Sequence, residues 1–128
     1  MAKWVNDAVM DLALAGIATG NKLFLCSAQP ATYAEAGTTY VLADHDLTVG
    51  HGNGDYTIAN GASSGRKITV TAQTGIDVDG NGTVTYVAIG RSSDSTLLLV
   101  SSLTTPKAVV STDTVDLAAF TYTLPDPS

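Results

Sequence analysis

The feature that most constrains the fold of this chain is a succession of short apolar or alternating runs between residues 66 and 103. Each run is rich in Val, Ile, Thr or Leu and is closed by Gly, Asn, Asp or Ser, as is typical of consecutive strands joined by tight turns. The predicted strands span residues 67–72, 75–78, 83–89 and 96–100. This stretch therefore predicts a mainly β chain.

The Asp79-Gly80-Asn81-Gly82 segment lies between two of these predicted strands. Asn81 and Gly82 tolerate positive φ angles, which a type I′ turn requires at both of its central residues. The segment therefore predicts a β-hairpin that joins residues 75–78 to residues 83–89.

Residues 4–18 are predicted to form the only sizeable helix, since their apolar residues recur at helical spacing. Asn6 or the residue before it can cap its start, and Gly16 and Gly20 offer stopping points. The predicted stripe comprises Val5, Val9, Leu12 and Gly16, widened by Met10, Ala13, Leu14 and Ile17. One interpretation places this amphipathic helix on a sheet; the alternative is an arm that docks on a neighbouring subunit, with Trp4 as its anchor.

The remaining chain predicts short strands, loops and one helical turn. The turn spans residues 32–36, capped by Thr32 and ended by Gly37, and Gly-rich loops fill much of residues 50–65. Without an internal repeat or linker, residues 1–128 are expected to form a single domain. The further predicted strands are residues 22–27, 39–42 (resumed at 47–49), 56–59, 108–110, 115–118 and 120–124, with a turn at residues 104–106.

Charge and cysteine content exclude several classes of protein. The net charge is -6 and the six cationic residues are scattered, so nucleic acid and anionic membranes are not expected partners. Cys26 is the only cysteine and follows Leu23-Phe24-Leu25, which predicts a buried thiol rather than a reactive one. The amino terminus does not resemble a signal peptide, because Asp7 and Asp11 interrupt its apolar run; the chain is therefore expected in the cytoplasm where it is made.

Two acidic segments contain candidate metal ligands. Asp77, Asp79 and Asn81, with Gly82 at the sixth position, match the first half of a calcium loop, but the twelfth position is Ala88 rather than Glu. A hairpin is favoured there over a weak calcium site. Asp44-His45-Asp46, considered with His51, lacks the usual spacing of zinc ligands and is interpreted as a solvated turn.

Catalytic motifs are absent from the sequence. There is no GxSxG elbow, and Glu35 is the sole glutamate, with no aspartate near it in sequence for acid–base chemistry. The Gly-rich loops lack the lysine and the following helix of a phosphate cradle. The sequence therefore predicts a protein that is not an enzyme and that carries no cofactor.

The chain resembles a family of small virion proteins from tailed bacteriophages. The resemblance is most specific in residues 1–36, and later segments match the same family less specifically. The segments are MAKWVND at residues 1–7, CSAQP at 26–30, TYAEA at 32–36, SGRK at 64–67, YVAI at 86–89 and LLLV at 97–100.

The resemblance implies a capsid decoration, or cement, protein with an antiparallel, jelly-roll-like β-sandwich and one N-terminal helix. Such a protein would bind the major capsid protein on the capsid exterior, self-associate as a dimer or trimer, and assemble in the host cytoplasm. A tail or neck component and a carbohydrate-binding module on the virion remain alternatives; the latter would need exposed aromatic rings. The candidate partner contacts are Trp4, Val5, Tyr33, His51, Asn53, Tyr56, Pro125 and Pro127.

Overall fold

The computed structural model describes residues 5–61 and 65–125 and is mainly β, with antiparallel sheets and one N-terminal α-helix, consistent with a β-sandwich. The described elements are α1 Asp7–Ile17, β1 Lys22–Cys26, a π-helical turn Glu35–Thr39, β2 Val41–Asp46, β3 Tyr56–Asn60, β4 Arg66–Val70, β5 Gln73–Asp77, β6 Gly82–Arg91, β7 Thr96–Val109, β8 Thr114–Leu117 and β9 Phe120–Leu124.

The chain divides into two compact units. The first comprises residues up to 19, residues 48–72 and residues from 118 onward, and the second comprises residues 20–47 and 73–117. The single-domain organisation stays a prediction, and each unit is described by itself.

The second unit is built on a four-stranded antiparallel sheet in the order β2-β1-β6-β7, with β5 and β8 paired separately. Because side chains alternate along a strand, the register places one set of residues together on a single face, and all of them are almost fully buried. This set is Leu23, Leu25, Ala43, Val87 and Ile89.

The opposite face of this sheet is also apolar, and residues 31–40 cover it. Phe24, Cys26, Ala36 and Ala88 form a buried cluster here, which we call the Phe24 cluster. The Phe24 ring meets Tyr33 edge to face, with ring centroids 5.5 Å apart. A Cβ at Gly90 would lie 2.7 Å from Cε2 of Tyr33, so the ring's approach depends on this glycine. Cys26 is fully buried here, as predicted, and burial raises the pKa of its thiol to about 11.

The helical turn over this face starts as the sequence predicts but ends later. Oγ1 of Thr32 accepts a hydrogen bond from the Glu35 amide at 3.1 Å, and Oε1 of Glu35 accepts one from the Ala31 amide at 2.7 Å. This reciprocal arrangement resembles a capping box. The prediction that Gly37 ends the turn is wrong, because the backbone continues through it as the π-helical turn to Thr39.

The predicted hairpin at residues 79–82 is wrong. Strand β5 pairs with β8, whereas β6 pairs with β1 and β7. Among described non-glycine residues, only Ser95 and Thr112 have positive φ, so Asn81 does not adopt the type I′ conformation. Its Oδ1 instead accepts a hydrogen bond from the Ser111 amide at 2.7 Å, while the Asp79 and Gly80 amides donate to the Leu42 carbonyl. Long-range hydrogen bonds thus override the local turn preference.

The tight hairpin of this unit lies at residues 92–95, between β6 and β7. Its sequence contains no glycine, and Ser95 takes the positive φ of 53°. Arg91 holds the loop closed, since its Nη2 lies 2.8 Å from Oδ2 of Asp94. Together with a hydrogen bond from Thr96, Arg91 lowers the pKa of Asp94 to about 2.

Residues 96–100 and 108–110 were predicted as separate strands, but 96–109 form the single strand β7. Tyr86 pairs with Ser102 and Val84 pairs with Lys107, so residues 103–106 form a wide bulge opposite Thr85 alone. The predicted turn is this bulge. Pro106 lies within it, where the missing amide proton removes no ladder bond.

The solvated turn predicted at Asp44-His45-Asp46 is also wrong, because these residues are paired in β2. Asp46 lies opposite Lys22 on β1, and the two side chains form an ion pair. This pairing raises the pKa of Lys22 and lowers that of Asp46. Lys22 lies 24 residues before Asp46 in the sequence. The local composition of residues 44–46, which favours a turn, does not reveal this pairing.

The first unit packs α1 against a three-stranded antiparallel sheet in the order β3-β4-β9. Tyr56, Ile68 and Val70 form its buried interior. Asn6 caps the helix as predicted, accepting a hydrogen bond from the Ala8 amide at 2.8 Å, and Gly16 does not interrupt it.

The buried face of α1 is only part of the predicted stripe. Met10 and Leu14 are buried, whereas Val9 is 57% and Leu12 is 74% exposed. The helix is apolar on nearly every side, and a helix of this kind offers no periodicity that selects one face. Half of the predicted stripe therefore points outward.

Candidate functional site

One ion pair helps to fix the orientation of α1, beside the burial of Met10 and Leu14. Arg66 on β4 donates to both carboxylate oxygens of Asp11, at 2.6 Å from Nε and 3.1 Å from Nη2, and its Nη1 donates to Asn60 at 2.7 Å. The guanidinium is therefore held by three hydrogen bonds, and the Asp11 carboxylate raises its pKa. Bidentate pairs of this kind fix orientation as well as contributing energy. Asp11 thus faces the sheet, and the other side of the helix faces away.

The exposed side of α1 forms an apolar surface, which we call the helix surface. It consists of Ala8, Val9, Leu12, Ala13 and Gly16, all exposed. No charged residue lies within this set, and a Cβ at Gly16 would contact nothing. Exposed, contiguous apolar groups are costly in water and commonly indicate an interaction site. Four of these residues, Val9, Leu12, Ala13 and Gly16, belong to the stripe that the sequence predicts to lie on a sheet or to dock on a neighbouring subunit, whereas Ala8 does not.

The predicted contact residues are distributed over several places. Val5 is half-buried just before α1, and Pro125 is exposed just after β9. Tyr33 is half-buried against Phe24 in the second unit. Trp4 and Pro127 lie outside the described residues. The contact roles of Val5, Tyr33 and Pro125 stay predictions.

The loop before β3 holds its own polar side chains. Nδ1 of His51 accepts a hydrogen bond from the Ile58 amide at 2.9 Å, and Nδ2 of Asn53 donates to the Val49 carbonyl at 2.8 Å. Both residues are exposed, so their contact role stays a prediction. Tyr56 is 0% exposed, and burial is the main cause of its raised pKa. Tyr56 is therefore a core residue and is not available to a partner.

The two acidic segments meet in the second unit. Partial desolvation and the neighbouring Asp44 carboxylate, with a smaller effect from Asp77, raise the pKa of Asp79. Asn81 uses its amide oxygen to hold residue 111. In the described parts of the chain, no group of three or more His, Cys, Asp or Glu side chains is arranged to hold a metal ion. The weak calcium site at Asp77, Asp79 and Asn81 stays a prediction that a titration can test.

The described residues show no unsatisfied polar group prepared for a ligand. Every buried side-chain nitrogen or oxygen there has a hydrogen-bond partner. Among their exposed large hydrophobic side chains, Tyr122 is the one aromatic, whereas stacking on sugars commonly uses several exposed rings.

No protein family, curated protein or solved structure matches this chain. Within the described residues, no helix combines the length and apolarity needed to span a membrane.

Proposed function

We propose that this chain is a structural protein of a tailed-bacteriophage virion, and that it binds the exterior of the capsid shell as a decoration, or cement, protein. The resemblance of residues 1–36 suggests the class of protein. The observation that supports binding to a larger assembly is the helix surface, where Leu12 is 74% and Val9 is 57% exposed. In this proposal the partner is the major capsid protein.

The helix surface suits a contact that is repeated by symmetry. Burying one leucine side chain stabilises a contact by about 1.5–3 kcal/mol, which is modest for a single copy. A capsid offers many equivalent sites, so modest contacts across subunit seams add up over the whole shell. The Arg66–Asp11 pair holds the helix against the sheet beforehand, and pre-ordering of this kind lowers the entropy lost on binding.

The acidic charge is compatible with this role. A net charge of -6 opposes non-specific aggregation of free copies. It also disfavours contact with packaged nucleic acid, whose phosphates are anionic. Both effects direct the protein towards the outside of a protein shell.

The experiment compares the binding of two variants to particles that lack the protein. Leu12→Asp places a carboxylate in the helix surface, whereas Thr57→Asp makes a similar charge change at an exposed position of β3. We expect Leu12→Asp to lose binding and Thr57→Asp to keep it, with both variants melting within a few degrees of the wild type.

Heat resistance of the particles then measures cementing. Particles that carry the wild-type protein or Thr57→Asp should release their genome at a higher temperature than bare particles. Equal release temperatures with and without the protein would refute cementing. Counting copies in purified virions separates the alternatives, since a tail or neck component would be present in far fewer copies than a head protein.

A further inference from the structure

Among the described strands, none pairs with the outer edge of β7. Strand β7 is the last strand of the sheet β2-β1-β6-β7, and β6 pairs with its inner edge. In the described chain, no backbone group outside β6 forms a backbone hydrogen bond with β7. An edge strand of this kind presents a row of amide and carbonyl groups that can pair with another strand.

The opposite edge of the same sheet is partly closed. Ala43 on β2 forms a bridge with Val78, and the Asp79 and Gly80 amides both donate to the Leu42 carbonyl. The sheet therefore has one protected edge and one open edge, and the open edge belongs to a strand of 14 residues.

The open edge is apolar along its first half. Leu97, Leu98, Leu99 and Val100 are consecutive and all half-buried. Leu97 and Val100 pack on the Phe24 cluster, whereas Leu98 is a bulge residue with no partner in β6, since Leu97 pairs with Gly90 and Leu99 with Ile89.

Residues 96–102 lack two of the devices that usually prevent edge-to-edge pairing, and the third, a β-bulge, is limited there to Leu98, with paired residues on both sides of it. The two missing devices are charged side chains and prolines on the edge, and β7 has them only at Pro106 and Lys107. The bulge at residues 103–106 separates that protected end from the apolar half.

We propose that the open edge of β7 pairs antiparallel with the same edge of a second copy, across a two-fold axis, so that two four-stranded sheets become one continuous sheet. A two-fold contact brings the same surface of both copies together. Residues 96–106 carry no charge that would oppose itself there, and the adjacent Asp94 is already paired with Arg91. The inference is independent of the proposed capsid role.

The test uses Leu98→Lys, which adds a cation to β7 at a half-buried bulge residue that has no partner in β6. Leu12→Lys is the control for the chemical change, which it makes on the helix surface at a more exposed leucine. Sedimentation velocity over a concentration series measures the dimer dissociation constant. We expect Leu98→Lys to weaken dimerisation by about a hundredfold, since the change occurs on both copies, and Leu12→Lys to leave it within about twofold.

Hydrogen exchange on the wild-type protein gives a readout that does not depend on the folding of a variant. Amides of residues 96–102 should become more protected as concentration rises, while amides of β3 and β9 should not. A wild-type protein that stays monomeric throughout would overturn the proposal, as would a dimer that Leu12→Lys disrupts and Leu98→Lys does not. Protection of residues 96–102 only when another virion protein is added would also overturn it, because the occupant would then be a partner's strand.

Discussion

At the scale of single residues, the structure depends on positions where a side chain would collide with backbone. Gly65 has a φ of 73°, and a Cβ there would overlap the Leu124 carbonyl oxygen and lie 2.8 Å from Cα of Pro125. Backbone on both sides leaves little room to adjust. Gly16, in contrast, has helical backbone and open space around it.

These two glycines should therefore respond in opposite ways to alanine. We expect Gly65→Ala to lower the free energy of unfolding by about 2–4 kcal/mol, through left-handed strain and overlap together. Gly16→Ala should raise it by about 0.5–1 kcal/mol, because alanine is the better helix former. Urea unfolding of both variants measures the effect, and a stabilised Gly65→Ala variant would contradict the close approach of β4 and β9.

At the scale of elements, pairing between distant segments decides more than local sequence does. Residues 120–124 form the strand β9, as their alternation of apolar and polar residues predicts. This alternation is a local property of the sequence, so it does not depend on which strand pairs with β9. The partner of β5 is β8, far along the chain, and no property of residues 79–82 encodes that choice. The face of α1 was likewise unpredictable, since its sequence is apolar on nearly every side, and the Arg66–Asp11 contact and the burial of Met10 and Leu14 arise only in the fold. The helix surface could not be predicted for the same reason, because the sequence shows that Val9 and Leu12 are apolar but not whether they are buried or exposed.

Asp44 on β2 lies close to Asp79, which follows β5, and this contact should make the stability of the protein depend on pH. The folded state raises the pKa of Asp79 above its ordinary value, so folding favours the protonated carboxyl group and the ionised one reduces stability. Asp79→Asn should therefore increase the free energy of unfolding at neutral pH. The gain should shrink as pH falls through the pKa of Asp79 in the folded protein, because the wild-type carboxyl group is then protonated.

Thermal melts of both proteins, recorded about every pH unit between roughly pH 3 and pH 7, measure how this gain changes with pH. Asp44→Asn should give a smaller gain, because it removes the repulsion but leaves the Asp79 carboxylate desolvated, and the double variant should gain less than the sum, because both changes remove that repulsion. Asp113→Asn, at an exposed position, controls for net charge. A gain for Asp79→Asn that is equal at both ends of the pH range would rule out the repulsion.

At the scale of the whole molecule, charge and apolar surface act against each other. Each copy carries a net charge of -6, while the helix surface and the open edge of β7 are uncharged. Association through either surface must therefore overcome long-range repulsion between copies, which salt screens over about 10 Å at 0.1 M.

The proposed β7 dimer should consequently become tighter as salt is added. We expect its dissociation constant to fall severalfold between about 0.02 M and about 0.5 M sodium chloride, since screening removes repulsion and there is no interfacial ion pair to weaken. Sedimentation at fixed pH measures the change. A dimer that dissociates as salt rises would instead be held by ion pairs, and the edge-pairing geometry would not account for it.

The wide bulge of β7 has a practical consequence for engineering. Four residues there occupy the space opposite one, and three of them, Thr104, Thr105 and Pro106, are exposed. The sheet regains its register on the far side, at Lys107. The bulge thus already accommodates extra residues without disturbing the pairing of β6 with β7. A foreign peptide inserted at residues 104–105 would be displayed outward while the strands on either side keep their pairing.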